Sequence, residues 1–87
     1  MSASRLPPAA MNLKQFMLRQ EVLKLYREIM RTIRTVQHEE YRVELNTWAR
    51  SDFKKWKNLT SEEDIKARLL QGRKQLKELT DALNLSR

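Results

Sequence analysis

The residues best suited to chemistry are cations on one helical face. Arg50, Lys54 and Lys57 recur at i, i+4 and i+7 with no acidic side chain spaced to neutralise them on that face. Such a run is ordinarily just a solvated surface. Phe53, however, sits beside it, about 80° around the helical wheel from the centre of the Tyr41, Leu45, Trp48, Trp56 stripe. A ring placed where apolar core meets cationic surface suits a ligand with an anionic head and an apolar tail, and a core-edge Phe next to solvated charge is the plainer alternative. The one glycine, Gly72, interrupts an apolar stripe where Ala would be better by about 1 kcal/mol of helix propensity. Either a neighbouring helix packs closely there, under Trp48 or Trp56, or the missing side chain leaves room for a narrow apolar ligand.

Other residue types argue against an enzyme. The chain has no cysteine and one histidine, which removes thiol chemistry, disulfide scaffolds and zinc ribbons and leaves little for His-based catalysis. No metal-ligating set is expected. Glu39 with Glu40, and Glu62 with Glu63, stand at helix starts where dipole and capping effects account for them, and adjacent residues point in different directions. A glycine-rich phosphate loop needs more glycine than is present. His38 reads as a surface residue, and Met17, Met30, Trp48 and Trp56 read as core or rim.

The elements that must position these groups are helices. In 87 residues there is one Gly, and both Pro lie near the start, so nothing punctuates hairpins. The hydrophobic share of 40% is too high for a disordered tail. A chain this short buries only about 60 to 65% of its unfolded surface, so a partner or ligand that adds to the core would matter. Asn12 and Gln15 have capping-box spacing, which starts the first helix near Asn12 after Pro7 and Pro8. Its apolar residues, from Phe16 through Leu18, Val22, Leu23, Leu25, Tyr26, Ile29, Met30 and Ile33 to Val36, span about 180° of arc. Lys24, Arg27, Arg31 and Arg34 gather along one border.

A second amphipathic helix follows the break at residues 36–40 and ends near Lys57, with Asn58 as its stop. Thr60 and Glu63 read as the capping box of a third helix, whose stripe is Ile65, Leu69, Gly72, Leu76, Leu79 and Leu83. The expected fold is all-α: an antiparallel three-helix bundle over residues 12–87, with residues 1–11 as a short disordered N-terminal tail. Charge is uneven. Residues 12–57 hold 11 basic and 6 acidic side chains, against 6 and 5 in residues 58–87, so the net charge of +7 is concentrated on the first two helices.

The tripeptide Leu25-Tyr26-Arg27 in the first helix, followed in the second by Arg50-Ser51-Asp52-Phe53, resembles the LYR-motif family of small mitochondrial proteins over roughly residues 13–83. Arg5-Leu6-Pro7-Pro8, Leu13-Lys14-Gln15-Phe16, Gln71-Gly72 and Gln75-Leu76-Lys77-Glu78-Leu79 narrow the likeness to one branch. The resemblance implies an adaptor that binds the acidic, acylated mitochondrial acyl carrier protein and engages a client in iron–sulfur cluster or respiratory-complex assembly, with complex I the expected client here. It implies no cofactor of the chain's own; an acyl-4'-phosphopantetheine arm supplied by the carrier would enter a tunnel between the helices. Tyr26, Phe53, Leu23, Ile29, Met30 and Gly72 would shape that tunnel. Arg19, Arg27, Arg50, Lys54 and Lys57 would meet the carrier. Lys54 stands where family members can have Arg, which loses bidentate geometry but keeps the charge. The resemblance also implies the mitochondrial matrix, with the first helix as a candidate uncleaved import signal.

Two other classes fit less well. A nucleic-acid-binding domain would want its base-reading helix free of the acidic residues that open the third helix, and a turn glycine before it. A peripheral membrane helix would leave its apolar face free, whereas three apolar stripes can cover one another. No apolar run reaches the ~20 residues of a membrane span.

Overall fold

A computed structural model describes residues 13–85, and the expected tail and the Asn12 cap lie outside the described residues. Three helices follow in order: α1 (Leu13–Arg34), α2 (Glu39–Lys57) and α3 (Glu62–Leu85). No strand occurs among the described residues, as expected of an all-α three-helix chain. Charge placement suits each helix. Glu39 and Glu40 open α2, Glu62, Glu63 and Asp64 open α3, and Arg31 with Arg34 and Lys54 with Lys57 close the first two, all complementing the helix dipoles. Neither connection uses a positive φ, so the shortage of glycine costs the turns nothing.

The helix ends show how the chain reverses. After α1, Val36 N–H donates to the Ile33 carbonyl at 3.0 Å, and Arg42 of α2 reaches back to the Val36 carbonyl at 2.9 Å. Val36 therefore lies past the helix yet remains buried. At the far end, Asn58 N–H donates to the Lys55 carbonyl at 3.2 Å, which makes Asn58 the stop its type suggested. The α3 cap is one residue later than the capping-box reading: Ser61 Oγ, not Thr60, accepts from the Asp64 N–H at 3.4 Å.

The central element is α1. It supplies Val22, Leu25, Tyr26, Ile29 and Ile33 to the core, against Ala49 and Trp56 from α2 and Ile65 and Leu69 from α3. Both other helices pack on α1 and scarcely on each other. That arrangement explains much of the wide apolar arc of α1, because a helix covered from two sides needs apolar residues over most of half its circumference. Gly72 resolves in favour of packing. A Cβ built there would lie 2.5 Å from Leu25 Cδ2, so the absent side chain lets α1 approach α3, and the close partner is Leu25 rather than either Trp.

Candidate functional site

Between α1 and α2 lies an open groove of about 690 Å³, within the range of small-molecule sites. Its apolar lining is Leu23, Tyr26, Met30, Ala49 and Phe53, and its polar lining is Arg27, Arg31, Arg34, Arg50, Lys54 and Lys57. Among the described residues no acidic side chain lines it. The wheel geometry of two antiparallel helices produces this division: residues nearest the helix contact are apolar, and those one step outward are cationic.

The two aromatic rings of the floor, Tyr26 and Phe53, rest on the buried Trp56. The Tyr26 and Phe53 rings meet edge to face at 5.1 Å, Phe53 and Trp56 at 5.2 Å, and Tyr26 and Trp56 stack at 6.4 Å. Edge-to-face pairs of this kind contribute about 0.5 to 1.5 kcal/mol beyond area burial, so the floor is a rigid surface. Lys57 Nζ lies 5.9 Å from the Phe53 centroid and adds a cation to the ring's outer side.

Behind the floor, the Tyr26 hydroxyl donates to Asp52 Oδ2 in a very close bond. The other Asp52 oxygen accepts from Arg68 Nη2 at 2.5 Å. Burial pushes the Tyr26 phenol pKa up, and the hydrogen bond to Asp52 and that residue's negative charge push it further, while Arg68 opposes them. The phenol therefore stays protonated and remains a donor throughout the neutral range.

Most residues that sequence placed at the site converge here: Leu23, Tyr26, Met30 and Phe53 on the apolar side, and Arg27, Arg50, Lys54 and Lys57 on the cationic side. Three do not. Ile29 is 1% exposed and lies in the core, one helical step from the Met30 that does line the groove. Gly72 rests on Leu25, and no part of α3 lines this groove, which lies between α1 and α2. Arg19 is not on the rim: its Nη2 donates to the Leu59 carbonyl at 2.9 Å, and its guanidinium lies 5.9 Å from the Trp56 ring. It secures the α2–α3 connection, helped by Gln15 Nε2, which donates to the Thr60 carbonyl at 2.9 Å.

Arg31 and Arg34, which lengthen the cationic wall, and Ala49 on the floor join the residues expected from the sequence. The border that gathered Arg27, Arg31 and Arg34 was the available signal for the first two. Asp52 and Arg68 gave no signal, because they are paired across two helices. Among the described residues no group of three or more His, Cys, Asp or Glu could hold a metal, and no helix is long and apolar enough to cross a membrane.

A groove with an apolar floor and a cationic wall on a three-helix scaffold is the geometry of a binding site for a ligand with an anionic head and an apolar tail. The chain belongs to the LYR family: the pattern of "Complex 1 protein (LYR family)" matches residues 20–78, which include Leu25-Tyr26-Arg27 and Phe53. It is also similar over nearly its whole length to LYR motif-containing protein 2 from several vertebrates. Identity to the Mus musculus protein is 54% over 86 residues, covering 99% of this chain and 98% of that one. The Homo sapiens protein is 49% identical over 87 residues, covering 100% and 99%, and the Danio rerio protein is 48% identical over 86 residues, covering 99% and 98%. No solved structure matches the chain. Family and relatives together place the chain among small mitochondrial adaptor and assembly proteins.

Proposed function

We propose that the protein binds an acylated acyl carrier protein through the α1–α2 groove in the mitochondrial matrix and supports assembly of the respiratory chain, with complex I as the client. The observation that carries this reading is the division of the groove into an apolar aromatic floor and a wall of six cations without an acid. A saturated acyl chain fits the floor, where each methylene removed from water stabilises the complex by roughly 0.8 kcal/mol. The phosphodiester of a 4'-phosphopantetheine arm and the carboxylates of an acidic carrier both fit the wall, and the arginines there offer forked donors for either.

In this arrangement Leu23, Met30 and Phe53 exclude water from the chain, and Arg27 and Arg50 orient its anionic end. Lys54 and Lys57 attract the carrier's acidic surface and speed encounter. Isothermal titration of the protein with acyl-loaded and unloaded carrier tests the proposal. Loaded carrier is expected to bind at least tenfold more tightly, and Phe53→Ala with Arg27→Ala is expected to abolish the difference. Equal affinity for the two carrier forms would remove the role of the acyl chain.

A further inference from the structure

The groove's aromatic floor is fixed from behind by residues that do not line it. Tyr26 is 7% exposed, and its ring forms floor while its hydroxyl donates to Asp52. Asp52 uses both oxygens, one on Tyr26 and one on Arg68 at 2.5 Å. Arg68 comes from α3, which otherwise scarcely touches α2, so packing of one helix on the other does not hold the carboxylate; its two hydrogen bonds do. Arg68 also donates to Gln71 on its own helix at 3.4 Å.

We infer that Asp52 and Arg68 are positioning residues for the groove, acting through Tyr26 to hold the aromatic floor in the orientation an acyl chain meets. A phenol hydroxyl without a partner in a nearly buried position must turn toward water. Asp52 and Arg68 are themselves partly exposed, so loss of the Asp52 carboxylate would let the phenol tilt toward the space and water left in its place and shift the ring from its contacts with Phe53 and Trp56.

The inference rests on the carrier reading of the groove, and a double-mutant cycle in the full chain separates the two. The probe is acyl carrier protein loaded with a saturated acyl chain, titrated into wild type, Asp52→Ala, Arg68→Ala and Tyr26→Phe and into the corresponding double variants. Asp52→Ala and Arg68→Ala are expected to weaken binding five- to tenfold in the wild-type background and less than twofold in the Tyr26→Phe background, while lowering the thermal midpoint in both. Asp52→Asn, which keeps an acceptor for the phenol, is expected to recover most of the affinity. Equal losses in both backgrounds, or no loss in either, would overturn the positioning role.

If wild type fails to bind the loaded carrier, the carrier reading falls, and positioning is then judged by ring-to-ring nuclear Overhauser effects in the free protein. Tyr26–Phe53 effects present in wild type and lost in Asp52→Ala support it. Effects unchanged by the substitution overturn it.

Discussion

Tyr26 does two things at once: its ring meets Phe53 edge to face and stacks on Trp56, and its hydroxyl donates to a carboxylate that is itself paired. Tyr26→Phe keeps the ring and removes the bond, and is expected to cost about 1 to 2 kcal/mol in denaturant unfolding, since it deprives a half-buried carboxylate of a donor. The phenol also makes stability depend on pH in one direction. Its pKa in the folded protein is raised above the ordinary value of about 10. Above that ordinary value the unfolded chain gives up a proton that the folded chain retains, so stability present below about pH 10 is lost progressively as pH rises further. Unfolding curves collected at pH 8 and above pH 10 are expected to show this fall in wild type and a smaller one in Tyr26→Phe. Gly72 makes a different demand. Gly72→Leu is expected to destabilise by about 2 to 3 kcal/mol because a whole further side chain must enter the space that the buried Leu25 already fills. Gly72→Ala displaces only the end of the Leu25 side chain and regains about 1 kcal/mol of helix propensity, so its thermal midpoint is expected to stay near wild type.

At the scale of elements, periodicity and caps made the three helices legible, because each carries an apolar stripe at three- and four-residue spacing and charges that suit at least one of its ends. What misled lay at boundaries. Thr60 and Ser61 both carry a hydroxyl with an acidic residue three positions on, so spacing alone does not separate them, whereas the hydrogen bond from the Asp64 N–H selects Ser61. Ser61→Ala is accordingly expected to lower stability by about 1 kcal/mol and Thr60→Ala by much less, as measured by urea unfolding. Ile29 and Met30 both belong to the apolar arc of α1, and only the placement of α2 and α3 decides that the first is core and the second is groove. Arg19, expected at the carrier surface from the family resemblance, bonds the Leu59 carbonyl, a partner 40 residues away that no periodicity reveals. The Tyr26, Asp52, Arg68 chain was invisible because it joins three helices through partners 26 and 16 residues apart, and helical periodicity carries no information about such pairs.

For the whole molecule, the concentration of positive charge on α1 and α2 takes on a geometric meaning. The two helices enclose a groove whose six cations face the same opening, and α3 supports it from the opposite side of α1 without entering it. Large apolar side chains remain exposed on α1, among them Phe16 at 43% and Met17 at 58%, alongside the half-buried Leu23 and Met30. A small core with an uncovered apolar groove gains stability from any occupant that binds only the folded state. The free chain is therefore expected to unfold at low temperature or aggregate, and co-expression with loaded carrier is expected to raise its soluble yield. Charge reversal at the wall, in Arg50→Glu with Lys54→Glu, is expected to slow association with the carrier and to flatten its dependence on salt.

In the proposed complex the groove between α1 and α2 holds a carrier-borne acyl chain. A thermal unfolding series of the purified protein with carrier protein bearing no acyl group, a short one or a long one tests it most directly. The expected result is a midpoint that rises with chain length and returns to the unliganded value in Phe53→Ala; a midpoint indifferent to the acyl chain would contradict the claim.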